Sequence, residues 1–173
     1  MHFYYYDNEW QALSIILGID PGSRITGYGL IKVEKMKVQY LASGCIRMST
    51  ADLPARLLTI YQNIGELIQQ YSPHQAAIEQ VFVGKSVSSA LKLGHARGAA
   101  ILAVAEAGLP LGEYAPRTIK QAVAGTGAAD KKQVQAMVVR LLGLNRTPSE
   151  DAADALAVAL CHSYSDNPYG AMR

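Results

Sequence analysis

The sequence predicts an α/β layer fold built as one unit, and three observations lead there. Three strand-like apolar runs come first with no helix between them. Strands then alternate with segments of helical period. A chain of 173 residues that is half apolar can also bury one sizeable core. The expected element order is βββαβαβααα, with an antiparallel opening meander and later crossovers that are parallel.

Residues 1–13, with Tyr4, Tyr5, Tyr6 and Trp10 among polar neighbours, have no period and read as an N-terminal extension. The first strand begins at Ile15-Ile16-Leu17 and ends at Asp20, where Pro21-Gly22 marks a turn. A second strand is expected through Tyr28 to Val33 and a third from Val38 to Ile46. Asp52 can cap a helix with Pro54 in its first turn, and Leu57, Ile60, Ile64, Leu67 and Tyr71 recur along one face until Ser72-Pro73 stops it. Ala76 to Glu79 forms a short apolar strand. A helix of small residues follows from about Ser86 to Ala107, then a strand from Leu111 to Tyr114 and a helix from near Pro116.

Gly125-Thr126-Gly127 breaks the chain before Asp130, which precedes Gln133 by the spacing of a capping box and opens a helix striped by Val134, Val138, Leu141 and Leu142. The last helix runs from about Ser149 to Tyr164, with Ala153, Leu156, Ala157, Leu160 and Cys161 on its core face. The domain is therefore expected over residues 14–164, with a tail at 165–173.

Net charge is only +2, but its distribution is uneven. Between Gln80 and Ser149 nine bases face three acids, a local +6 that leaves −4 for the remainder. Such an asymmetry suits a polyanion held beside an acidic site, and equally suits solvated helix faces. Cys45 and Cys161 stand in no metal-binding or disulfide spacing. The longest apolar run, Ala99 to Ala105, is far short of the roughly 18 residues of a membrane span, and the N-terminus lacks the basic start of a signal peptide. A cytoplasmic protein without a membrane segment is the expectation.

The acidic residues carry the chemistry. Asp20 falls at the end of an apolar strand, where α/β sheets expose reactive groups to a crevice, and Glu79 repeats the pattern on another strand. Asp151 and Asp154 stand about 60° apart on the last helix, beside its apolar face. Asp151 with Glu150 can simply offset the helix dipole. A carboxylate after Ala76-Ala77-Ile78, however, is costly without a partner. Four carboxylates gathered together repel one another and raise their own pKa values unless a cation sits between them. Hard oxygen donors with no His or Cys cluster favour Mg²⁺ or Mn²⁺ over zinc. Two such ions about 3.5–4 Å apart can activate water and stabilise the leaving oxygen in phosphoryl displacement.

The surrounding segments fit a nucleic acid. Phe82, just after Glu79, can stack on a splayed base or plug the core. Lys85, Lys120, Lys131 and Lys132 can contact phosphates. Lys131 and Lys132 sit in the first turn of a helix, where a lysine opposes the dipole and so needs another reason to be there. The glycines at 18–29 and 125–127 fit neither the P-loop nor the dinucleotide pattern.

GIDPGSRITGYG around Asp20, AIEQVFVGK around Glu79, SALKLGHARG from Ser89 and EDAADALAVAL at the end together resemble the RuvC family of bacterial Holliday-junction resolvases. The resemblance runs in unbroken order over about residues 14–164. It departs at His95, where the family pattern LGQARG has glutamine, and in a short tail after Cys161. The resemblance implies an RNase H-like fold with a five-stranded mixed sheet flanked by helices, and a catalytic, metal-binding tetrad of Asp20, Glu79, Asp151 and Asp154. It further implies that Phe82 lies near the junction centre and that Lys120 and Lys131 bind DNA by the scissile phosphate. Homodimeric cutting of four-way junction DNA, two Mg²⁺ ions per site and cooperation with RuvA and RuvB follow as expectations from the same source. The small-residue helix from Ser86 to Ala107, with Leu91, Leu93, Ile101 and Leu102, is the candidate dimer contact. A nuclease acting on RNA–DNA hybrids, or a catalytically silent DNA-binding module, would use many of the same residues.

Overall fold

Alternating apolar residues in the first half of the chain build most of one sheet. Strands β1 (Ser14–Asp20), β2 (Ile25–Glu34) and β3 (Lys37–Arg47) form the antiparallel meander. Strands β4 (Gln75–Glu79) and β5 (Leu111–Tyr114) add in parallel on the other side of β1, giving the order β3-β2-β1-β4-β5. Five helices complete the chain: α1 (Leu53–Tyr71), α2 (Val87–Glu106), α3 (Pro116–Ala124), α4 (Lys131–Leu142) and α5 (Glu150–Ser165). The computed structural model describes residues 13–35, 37–49, 52–81 and 86–165. Phe82, Lys85 and nearly all of the expected N-terminal extension lie outside the described residues.

Element order and strand directions match the sequence reading. The second strand starts at Ile25, before the expected Tyr28. The polar Thr26 hides this start from any reading of apolar alternation, because it is fully buried and its hydroxyl donates to the Gly22 carbonyl at 3.2 Å. The caps form as the sequence implies. Asp52 accepts from the Ala55 amide at 2.9 Å, and Asp130 and Gln133 exchange two 2.8 Å bonds as a capping box.

The sheet separates two apolar layers. On one side Leu17, Ile19, Leu30 and Ile78 meet Ile60 and Ile64 of α1 and Ala100 and Val104 of α2. On the other side Ile16, Ile31 and Ala77 meet α5, which is itself covered by Ile119 of α3 and by Val134 and Val138 of α4. One apolar stripe was expected on α5. Instead every residue from Ala152 to His162 except Asp154 is buried, because α3 and α4 enclose the side turned away from the sheet.

Small residues let this helix lie directly on the strands. A Cβ built on Gly18 of β1 would stand 2.2 Å from the Ala155 carbonyl oxygen, and one on Gly27 of β2 would stand 2.0 Å from that of Asp151. Neither position can hold a side chain without lifting α5. At the far end of the helix the buried His162 ring bonds Tyr114 of β5 through Nδ1 at 2.8 Å and Gln75 of β4 through Nε2. The helix that carries two of the candidate acids is thus held against all five strands, since the Ser149 hydroxyl just before it also lies 3.2 Å from Cys45 Sγ on β3.

Candidate active site

Strand register brings the first two acids together. Ile19 pairs with Ile78 in the parallel β1–β4 ladder, so the residues that follow, Asp20 and Glu79, end neighbouring strands side by side. Side chains alternate across a sheet. Leu17, Ile19, Ala76 and Ile78 point to the α1/α2 layer, which turns Asp20 and Glu79 toward α5. Chain direction reverses here as well, since β2 leaves β1 antiparallel while β4 joins it in parallel. That switch opens a crevice at the carboxyl ends of the central strands.

A cleft of about 270 Å³ occupies this position, lined by Asp20, Glu79 and Asp154 with Lys120 of α3 and Lys131 of α4; Pro116, Ile119, Val134, Ala157 and Val158 form its apolar wall. The side chains of Asp20 and Glu79 lie close enough for each to act on the other's ionisation. Burial, then the Glu79 and Asp154 charges, push the Asp20 carboxyl up to about 8. Burial also raises Glu79, against the hydrogen bond from Asp20 and the charges of Lys131 and Lys120. Asp154 is raised by burial and held back by Lys131, whose Nζ lies 3.5 Å from its Oδ2. The same contact raises Lys131.

Three of the four acids therefore meet in the cleft. Asp151 stands one turn earlier on α5 and does not line it, although its charge raises both Asp20 and Asp154. Of the basic residues singled out in the sequence, Lys120 and Lys131 face the acids, while Lys132 is exposed and outside the cleft lining. Lys131's place at a helix N-terminus is explained by Asp154. Arg97, counted in the basic stretch as a possible polyanion contact, is instead occupied within the fold: it pairs with Glu113 and donates from Nε to the Glu79 carbonyl at 3.2 Å.

This set of donors suits a hard divalent cation. Carboxylates buried side by side, each raised by burial and Asp20 also by the charge of Glu79, are arranged at a cost that a cation would offset. Among the described residues no three His, Cys, Asp or Glu side chains yet converge on a single ion position. The fit lies in the chemistry of the donors and their common cleft.

A family model described as "Crossover junction endodeoxyribonuclease RuvC" matches residues 16–162. The chain belongs to the RuvC family. Among RuvC relatives, that of Photobacterium profundum is 59% identical over 160 residues, covering 92% of each chain, and that of Tolumonas auensis is 61% identical over 153 residues, covering 88% of each. The structure of Thermus thermophilus RuvC in complex with a Holliday junction substrate superposes with a TM-score of 0.82 at 35% identity, over 88% of this chain and 94% of that one. The yeast mitochondrial resolvase Ydc2 shares the fold, with a TM-score of 0.59 at 16% identity. The expected RNase H-like α/β architecture with a five-stranded mixed sheet is therefore the RuvC fold seen here.

Proposed function

We propose that this RuvC-family chain resolves four-way DNA junctions by hydrolysing one phosphodiester on each of two opposed strands, in recombination and DNA repair. The observation that carries this reading is the cleft in which Asp20, Glu79 and Asp154 meet Lys120 and Lys131. It joins a cation-demanding acidic floor to a phosphate-binding rim. The relative at 35% identity whose structure was solved with a Holliday junction supports the same substrate.

In this reading Asp20, Glu79, Asp151 and Asp154 are the catalytic ligands of two Mg²⁺ ions, with Mn²⁺ able to substitute. Bound there, the ions would lower the pKa of water and neutralise charge at the phosphate. Asp20, at the junction of β1 and the Pro21-Gly22 turn, would hold the metal together with Glu79 and the α5 pair. Lys120 and Lys131 hold phosphate oxygens from the opposite wall, Lys132 contacts the backbone farther out, and Asp154 orients the attacking water. The P–O3′ bond breaks as the oxygen of water joins phosphorus, and the departing oxygen takes up a proton. The products end in 5′-phosphate and 3′-hydroxyl. Phe82 and Lys85 are assigned to the DNA at the junction centre on the family resemblance alone.

A junction of two-fold symmetry calls for a two-fold dimer. Val87, Leu91 and Leu102 of α2 are 65%, 60% and 61% exposed and share one helix face with Gly94 and Gly98, where an added Cβ would face open space. That apolar, small-residue face is assigned to a second copy of the chain. Leu93 and Ile101, also named from the sequence, are half-buried, and Ile101 packs against the α1/α2 layer. RuvA and RuvB are assigned as partners on family grounds, and residues 14–164 as the nuclease unit.

The test is a synthetic mobile four-way junction incubated with the protein with and without Mg²⁺, beside a linear duplex and an RNA–DNA hybrid. Paired, symmetric, Mg²⁺-dependent nicks confined to the junction are expected, lost in Asp20→Asn while junction binding persists. Cutting of the hybrid alone, or binding with no cutting, overturns the reading.

A further inference from the structure

We propose that Arg97 is a positioning residue that replaces a missing rung of the β1–β4 ladder and so fixes the main chain at Glu79. The functional part of this inference rests on the assignment of Glu79 to the active site.

The missing rung follows from register. In a parallel ladder the residues that bond a given neighbour alternate, and each uses both its N–H and its C=O toward that neighbour. The amides of Ala76 and Gln80 go to Pro110 and Tyr114, at 2.9 and 2.8 Å, so the even-numbered residues of β4 face β5. Gln75, Ala77 and Glu79 must then face β1. With Ile16 opposite Gln75 and Gly18 opposite Ala77, continuing the register assigns the amide of residue 21 to the Glu79 carbonyl. Residue 21 is proline, which has no N–H to give. The turn that places Asp20 at its strand end therefore removes the main-chain donor that Glu79 would otherwise have.

Arg97 supplies that donor from outside the sheet. Its Nε gives a 3.2 Å bond to the Glu79 carbonyl, and its far end pairs with Glu113 on β5, so the guanidinium is held at both ends with only 20% of the side chain exposed. Glu79 is the last residue of β4. Without the clamp its carbonyl would lack the ladder donor that Pro21 cannot supply, at the end of the strand. A displacement of about 1 Å at a reacting group is enough to cost on the order of 10²-fold in rate.

Restoring the lost amide provides the test. Arg97→Met keeps the stem and helix propensity but removes the donor, and Pro21→Ala in the same chain returns an N–H to the ladder. Three quantities are read for each variant: single-turnover cleavage of a four-way junction, junction affinity with Ca²⁺ replacing Mg²⁺, and hydrogen exchange of the Glu79 and Gln80 amides. Arg97→Met is expected to slow cleavage about tenfold or more with affinity unchanged within about twofold, and to speed exchange of those amides. The double variant Pro21→Ala/Arg97→Met is expected to recover most of both losses. Wild-type cleavage and exchange in Arg97→Met, a parallel fall in affinity and rate, or no recovery of exchange in the double variant would each overturn the proposal. If Arg97→Met fails to fold, Arg97→Lys, which keeps the charge facing Glu113, is put through the same comparison with and without Pro21→Ala. A wild-type protein that cuts no junction would sink the functional assignment, and the exchange measurements would still decide whether Arg97 supplies the missing rung.

Discussion

Lys131 in the first turn of α4 and Asp154 in the second turn of α5 face each other across the cleft, with 3.5 Å between Nζ and Oδ2. The ion pair places a cation at a helix N-terminus, against the helix dipole, and Asp154 compensates it. Burial raises the Asp154 carboxyl and Lys131 holds it back, so removing the lysine pushes that carboxyl higher. Lys131→Met is therefore expected to depress junction cleavage near neutral pH and to shift the acidic limb of its pH–rate profile upward, with partial recovery in more alkaline buffer. An unshifted limb would mean that Asp154 does not titrate in the reaction.

The Asp20 carboxyl, at about 8, lies far above its ordinary value. Between the two values the folded chain binds a proton that the unfolded chain has released. The Asp20 contribution to stability therefore falls as pH rises from about 4 to about 8. Asp20→Asn is expected to raise the melting temperature more at pH 8 than at pH 5, each kcal/mol relieved being worth about 2–4 °C. Mg²⁺ is expected to stabilise the wild type above pH 7 and to do so much less in this variant. Thermal melts across pH with and without the ion test both statements.

Gly27 leaves no room for a methyl group beneath the Asp151 carbonyl. Gly27→Ala must lift the start of α5 from the sheet, at a cost of about 1–3 kcal/mol for overpacking. A lower melting point together with a cleavage loss larger than the fraction unfolded explains is the expected pattern, measured by calorimetry and single-turnover rates at a temperature where the variant is folded.

Lys120 lines the same wall as Lys131 and its charge acts on Glu79. As a phosphate contact it supplies affinity without reading bases. Lys120→Ala is expected to weaken junction binding equally for different sequences and to reduce the salt slope of log K by about 1. Fluorescence titrations at several salt concentrations measure the slope.

Strand-end acids were legible because a carboxylate closing an apolar run has few structural uses, and register then placed Asp20 beside Glu79. Helix caps at Asp52 and Asp130 were legible because they are local. The Lys131–Asp154 pair was visible only as an anomaly, a lysine where the dipole disfavours one, since its partner comes from another helix. The burial of α5 around its whole circumference was hidden because alanine is small enough for either side of a helix and marks no stripe. Arg97 was least legible: its acceptor is a main-chain carbonyl that lacks a ladder donor because a proline follows the end of a different strand, and nothing in the spelling of α2 announces that.

The enclosure of α5 between the sheet and two other helices has a consequence for how the protein fails. A helix in the middle of the core cannot come loose while the rest persists, so separating its two aspartates from Asp20 and Glu79 requires dissolving the whole apolar layer on that side of the sheet. The acids on α5 are tied to the cooperative unit of the whole domain. Damage by heat then falls on a population that is either assembled or lost, and the surviving activity of a heated sample counts the molecules still folded.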